Sequence, residues 1–228
     1  MPEPVNRRGY DSSARRARSV RTRADVLQAA RSLFTGRGYT ATTVADIAAE
    51  AGVHVDTVYR LVGRKPELVQ ELVEAAISGT GTAVVAEDRD YVRTIRAEPD
   101  PERMLAVYAR AVRQIHERLG PLFPALTAAA AVDPDVAEVW TGISRRRAQN
   151  MRKLVADLAA AGGLRDDLPP DRAADTIWAT NSPELHALLV GERGWAPADY
   201  EAWLLDLWRR VLLPDPTGPG DAGDAGDG

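Results

Sequence analysis

The spacing of Ala48, Gly52 and Val58 constrains this chain more than any other feature of its sequence. A small residue, a glycine four positions on and a branched aliphatic six further is the pattern of two short helices crossing at a sharp turn. Ala48 is small where the helices would cross, so their backbones can approach. Gly52 supplies a left-handed turn conformation that only glycine adopts cheaply. Around that frame, Ile47, Ala48 and Ala51 recur at helical spacing as a buried stripe, and Val53, Val58 and Leu61 give the inward face of the next segment. Thr43 caps the first helix in this reading, with Asp46 three residues on, near the positive end of the helix dipole. The outward face of the second helix is left with His54, Val55, Asp56, Thr57, Tyr59 and Arg60. These residues mix base-reading types with hydroxyls suited to phosphate oxygens, and the stretch Thr43 to Lys65 is sized for a DNA major groove. Plainer roles stand beside these: Asp56 as a complement to its helix N-terminus, His54 as a solvated surface residue.

The flanks carry further signals. Upstream, Thr22-Arg23-Ala24-Asp25 reads as a capping-box-like helix start, followed by Val26, Leu27, Ala30, Leu33 and Phe34 on one face. Downstream, Gly63-Arg64-Lys65-Pro66-Glu67-Leu68 opens another helix, with Pro66 near its first turn. The ordered set TRADVLQAARSLFTGRGYTATTVADIAAEAGVHVDTVYRLVGRKPEL resembles the N-terminal domain of the TetR (tetracycline repressor-like) family of bacterial transcriptional regulators. The resemblance is strong over residues 20–70 and extends to the remainder by length and helical character. It implies that Thr43 bonds a phosphate, that Thr57 and Tyr59 meet phosphate or base edges, and that Lys65 reaches a phosphate from the start of the fourth helix. Leu61 and Val62 depart from the aromatic pair that usually closes the family's recognition helix. His54 and Asp56 stand where small residues are usual.

Charge separates the chain into two parts. The net charge is −4, yet residues 1–68 hold 12 Lys or Arg against 7 Asp or Glu, and the rest holds 17 against 26. A basic head on an acidic body fits a DNA-binding domain joined to a regulatory one. Apolar residues make up 45%, and Ala, Leu, Arg and Glu outweigh β-branched clusters, so the expected class is all-α. There is no cysteine for a disulfide or thiolate metal site. Neither a spanning apolar run nor a signal core is present, and the expectation is a soluble, cytoplasmic, bacterial protein with no membrane partner.

The expected organisation is an Arg-rich disordered arm over residues 1–18, a three-helix helix-turn-helix domain over 19–66, a larger helical ligand-binding and dimerisation domain over 67–213, and a disordered Gly-Pro-Asp tail over 214–228. The arm is either a further source of phosphate contacts or a passive tail. In the larger domain, helical stripes run from Glu102 to Leu119, from Leu122 to Val132, from Pro134 to a stop at Ala161-Gly162-Gly163, and after Pro170 and Pro197. A helical segment is expected between Thr82 and Ala97, and a restart or kink at Ser182-Pro183.

The family resemblance implies a ligand pocket in this domain. Polar or aromatic tips on otherwise apolar helices nominate Tyr108, His116, Phe123, Trp140, Asn150, Trp178 and Asn181, each with core or surface packing as the alternative. Asn181 beside Trp178 stands out, because an amide on a buried helix needs a partner. The last helix carries a stripe too broad for one small packing face. With the preceding helix it nominates a homodimer interface of Leu185, Leu189, Trp203, Leu204, Leu207, Trp208 and Val211, with intramolecular core as the alternative. A two-fold dimer would set two recognition helices on one face of a near-palindromic site.

Enzymatic motifs are missing. His54, His116 and His186 lie far apart without metal-ligand spacing, and there is no nucleophile elbow, phosphate loop or cysteine nucleophile. No metal, cofactor or catalytic residue is expected. The reading is a dimeric DNA-binding transcriptional regulator, a repressor released by a small molecule. The alternatives are a helical ligand-binding or scaffold protein whose helix-turn-helix no longer reads DNA, and a helical enzyme.

Overall fold

The computed structural model describes residues 7–214, with side chains from residue 13. Among these residues the fold is all-helical. In chain order the α-helices are α1 (Arg7–Arg37), α2 (Val44–Glu50), α3 (Val55–Leu61), α4 (Lys65–Ser78), α5 (Asp90–Ala97), α6 (Pro101–Leu119), α7 (Phe123–Val132), α8 (Pro134–Ala160), α9 (Pro170–Thr180), α10 (Pro183–His186) and α11 (Pro197–Leu212). A 3-10 turn, Ala86–Asp88, precedes α5, and a π-helical segment, Ala187–Glu192, follows α10.

Local chemistry explains most boundaries. Thr43 and Asp46 form a reciprocal capping box at α2, the Thr43 hydroxyl accepting from the Asp46 amide while the Asp46 carboxylate accepts from the Thr43 amide. Gly52 turns the chain at φ 65° and Gly79 ends α4 at φ 74°. Prolines stand in the first turn of α4, α7, α9, α10 and α11, where a missing amide costs nothing. Ser182 caps α10 through the Leu185 amide at 3.1 Å, so the Ser182-Pro183 break is a true restart. Between Thr82 and Ala97, only the 3-10 turn and α5 are helical.

The start of α1 differs from the sequence expectation. The helix begins at Arg7, so Thr22 and Asp25 lie inside it and cap nothing. Ala and Arg are strong helix formers, and a helix nucleated by its packed half extends at the gain of one hydrogen bond per residue. The part of the expected arm that is described, residues 7–18, is therefore helix. Residues 1–6 and the tail from 215 lie outside the described residues.

The chain packs as two compact units. The first comprises the chain up to residue 84 together with 115–144, the second 85–114 and the chain from 145 onward, so α6 and α8 each contribute to both. In the first, Val26, Ala30, Phe34, Ile47, Val58, Leu68 and Val69 share a core with Leu119, Leu122, Leu126 and Val136. These late leucines and valine fill a face of α1 and α4 that the helix-turn-helix alone leaves open, which is why the head recruits α7. In the second, Met104, Leu105, Tyr108, Leu154, Leu158, Ile177, Tyr200, Leu204, Trp208 and Leu212 form a separate core.

Candidate functional site

The helix-turn-helix presents α3 by burying one side of it. Val58 is fully buried, while His54, Val55, Asp56, Tyr59 and Arg60 are exposed and Thr57 is half-buried. Tyr59 keeps 50% of its surface and Val55 37%. His54 occupies the position before α3 without bonding its side chain to the helix. The C-terminus of α3 is braced from α1: the Arg23 guanidinium donates to the Leu61 carbonyl and pairs with Glu71 at 2.6 Å. Arg23 carried no site signal in the sequence, because its partners lie far along the chain, Leu61 38 positions away.

Thr43 is exposed at the head of α2, its hydroxyl 2.6 Å from an Asp46 carboxylate oxygen. The Thr43 hydrogen bonds, side chain then backbone, hold the Asp46 carboxyl below the ordinary carboxylate range. Lys65 is half-buried. Its Nζ donates to the Tyr39 carbonyl at 2.8 Å and sits 3.9 Å from the centre of the Tyr39 ring. Desolvation draws its pKa down, with Asp133 opposing. An ammonium has three donors, so two remain for a further acceptor. Tyr39 in turn donates to Asp133 at 2.8 Å, immediately before α8. Arg64, exposed, pairs with Glu67 and Asp135.

The residues nominated for a pocket divide between the units. His116, Phe123 and Trp140 belong to the first, where Phe123 and Trp140 pack with ring centres 5.9 Å apart. Tyr108, Trp178 and Asn181 belong to the second and come together. Asn181 Nδ2 donates to the Tyr108 hydroxyl at 2.6 Å and lies 3.1 Å from the Met151 sulfur. Tyr108 stacks on Trp208 at 5.4 Å, and burial pushes its hydroxyl pKa far up. Arg147, which sequence reasoning missed, donates to the Trp178 carbonyl at 3.2 Å and lies over its ring. The signal that could have found it is position: an arginine one turn before Met151 on an apolar helix face. Tyr108 and Met151 also line a cleft of about 50 Å³ between α5 and α8, with Tyr91, Ile95, Asn150 and Leu154. Glu87–Lys153 and Arg96–Asp157 ion pairs, at 2.5 and 3.7 Å, join its two sides.

Of the nominated dimer residues, Leu204 and Trp208 have no exposed surface within their own subunit. They are core of the second unit, because α11 turns its Tyr200–Leu204–Trp208–Leu212 stripe inward. Leu185, Leu189, Trp203, Leu207 and Val211 are half-buried, and Leu188 beside them keeps 50% of its surface.

The family profile for "Bacterial regulatory proteins, tetR family" matches residues 26–72, from the buried face of α1 to the middle of α4. Residues 26–72 therefore resemble the N-terminal domain of TetR-family regulators. The matched residues are those of the helix-turn-helix, and the fold and this domain are like those of non-enzymatic transcription regulators. Solved structures of the family superpose over most of the chain. A TetR-family transcriptional regulator from Syntrophomonas wolfei matches with a TM-score of 0.66 at 16% identity, covering 83% of this chain and 93% of that one. SmeT, the repressor of the Stenotrophomonas maltophilia multidrug efflux pump SmeDEF, matches at 0.65 and 22% identity, covering 89% and 96%. A transcriptional regulator from Saccharomonospora viridis in complex with choline matches at 0.62 and 18% identity, covering 86% and 100%. At these identities the likeness is one of fold. No curated protein sequence matches the chain. No helix among the described residues is long and apolar enough to cross a membrane, and no group of three or more His, Asp or Glu there is placed to hold a metal ion.

Proposed function

We propose that this protein is a homodimeric TetR-family repressor that occludes a promoter in the cytoplasm and leaves DNA when a small molecule binds its second unit. The observation that carries the DNA half is the exposed face of α3, where Val55 and Tyr59 are left uncovered beside His54 and Arg60. In this reading His54, Val55, Tyr59 and Arg60 meet base edges or sugar in the major groove, and Thr43, Thr57 and the free donors of Lys65 hold phosphates. Asp56 serves the α3 N-terminus. Leu185, Leu189, Trp203, Leu207 and Val211 form the surface that pairs two subunits across a two-fold axis.

The effector half is supported by the Tyr108–Asn181–Met151 cluster behind the α5–α8 cleft, and by the choline complex of the S. viridis regulator. An effector releases DNA only to the extent that it binds the non-DNA conformation more tightly.

Fluorescence anisotropy on the DNA upstream of the protein's own gene, across a salt series, tests the first half. Wild type should bind that duplex far better than a scrambled one. Tyr59→Ala should lose about 1–3 kcal/mol of binding, and Lys65→Ala should also flatten the salt slope by about one. Equal, weak binding of every duplex in a genome-wide selection of fragments would instead favour a helical scaffold that no longer reads DNA.

A further inference from the structure

Arg147 carries a permanent positive charge on α8. Its Nε has no exposed surface and no hydrogen-bond partner, and its guanidinium contacts are the Trp178 carbonyl and ring. Among the described residues no carboxylate lies within ion-pairing distance of it. Glu184 and the hydroxyls of Tyr108 and Tyr200 act on it only through space, and burial pulls its pKa down. Arg147 as a whole is half-buried, and a guanidinium partly withdrawn from water with no counter-ion favours an incoming anion.

A second orphan lies close by in the same unit. Asn181 is 4% exposed, and its Oδ1 is buried with no donor facing it. Its Nδ2 touches Tyr108 and Met151, the two side chains that also form the inner wall of the α5–α8 cleft. Arg147 lies one helical turn before Met151 on α8, and Tyr108 and Met151 stand between the unpaired Asn181 acceptor and an apolar slot lined by Tyr91, Ile95 and Leu154. Met151 is unbranched and repacks readily. The cleft is far smaller than the roughly 300–1,000 Å³ of a drug-sized pocket, so a ligand must part these walls as it enters.

We propose that the effector is an amphipathic carboxylic acid whose carboxylate pairs with Arg147, whose neighbouring hydroxyl or N–H donates to Asn181 Oδ1, and whose apolar tail lies against Tyr91, Ile95 and Leu154. This rests on reading the second unit as the effector domain. A single guanidinium in aromatic surroundings matches one negative charge and leaves a second, as on a phosphate monoester, uncompensated. A cationic ligand would meet a like charge.

The test is a thermal-shift series on the full-length protein with n-alkanoates of about four to eight carbons, their 3-hydroxy derivatives, the matching primary amides and the matching n-alkylamines. Alkanoates should raise Tm by about 3 °C or more at saturating concentration, 3-hydroxyalkanoates further, and amides and amines not at all. Arg147→Met should keep or raise the unliganded Tm and abolish the alkanoate shift. Asn181→Leu should erase only the advantage of the hydroxy acids. An alkanoate shift that is absent, that survives in Arg147→Met, or that the amides reproduce would overturn the proposal. Should Arg147→Met fail to fold, the wild-type contrast between alkanoate and amide decides alone. Anisotropy on the operator duplex separates the two readings. Amides or amines that bind and release DNA sink the carboxylate and spare the effector domain, whereas carboxylates that bind through Arg147 without moving DNA affinity do the reverse.

Discussion

Tyr39 ties three elements of the first unit together. Its ring packs on Phe34 and lies under Lys65, its carbonyl accepts from Lys65, and its hydroxyl donates to Asp133. Asp133 uses its other carboxylate oxygen on the Asp135 amide, 3.0 Å away, at the start of α8. The Tyr39 hydroxyl is the largest reason that the Asp133 carboxyl titrates below its ordinary value. Tyr39→Phe should therefore cost about 0.5–1.5 kcal/mol in urea unfolding at pH 7 while leaving α-helical content intact. The same bond sets a pH dependence. A carboxyl whose folded pKa is depressed stabilises fully above its unfolded pKa, about 3.9, and loses that contribution as pH falls through the folded value. Asp133 and Asp46 both belong to this class. Tm should fall below about pH 4, and the fall should be shallower in Tyr39→Phe and in Asp46→Asn; identical profiles in all three proteins would remove both bonds from the account. Tyr39 was visible in the sequence only as part of Gly36-Arg37-Gly38-Tyr39. Its partner Asp133 lies 94 positions away, beyond any local pattern.

Elements were the most legible scale. The α2 capping box, the Gly52 turn, the Gly79 stop and the prolines opening later helices follow from side-chain chemistry within about one helical turn, and each sits where local rules place it. The α1 start was not legible, because an Arg- and Ala-rich segment carries both a disorder signature and high helix propensity, and attachment to a packed helix decides between them. The end of α8 shows how a local stop acquires a tertiary role. Gly163 lies where an added Cβ would come within 2.2 Å of the Pro101 ring at the start of α6. A pyrrolidine ring cannot swing aside, so Gly163→Ala should destabilise by about 1–3 kcal/mol or more. Gly162→Ala meets no atom but forces φ 72° on a residue with a Cβ, and should cost about 1–2 kcal/mol. Denaturation midpoints of the two variants separate crowding from backbone strain.

For the molecule as a whole, amphipathic stripes gave the inward positions correctly but not which surface closes them. Leu204 and Trp208 share a helix with Trp203, Leu207 and Val211, and a broad stripe does not say that one edge meets its own subunit and the other is half-exposed. The distinction is measurable. Leu207→Asp should shift the protein from dimer to monomer in sedimentation velocity with its circular dichroism preserved. Trp208→Ala should lower stability by about 3–5 kcal/mol at unchanged stoichiometry of whatever remains folded. If Leu207→Asp stays dimeric, the pairing surface lies elsewhere. The Tyr108–Asn181–Met151 cluster is half legible in the sequence: Tyr108 and Asn181 show as polar tips on apolar helices, whereas Arg147 beside Trp178 reads as one more arginine on a charged helix.

The order in which the chain visits its two units bears on how it can be dissected. The chain up to residue 84 builds most of the first unit, but Leu119, Leu122, Leu126 and Val136, which complete its core, arrive only after an excursion through the second. A head cut after α4 would leave the faces of α1 and α4 bare and sticky. A soluble miniature needs residues 115–144 grafted back through a short linker that replaces the excursion. The modular swap of heads between regulators, natural for proteins joined like beads on a string, would here have to exchange two threads of the weave at once.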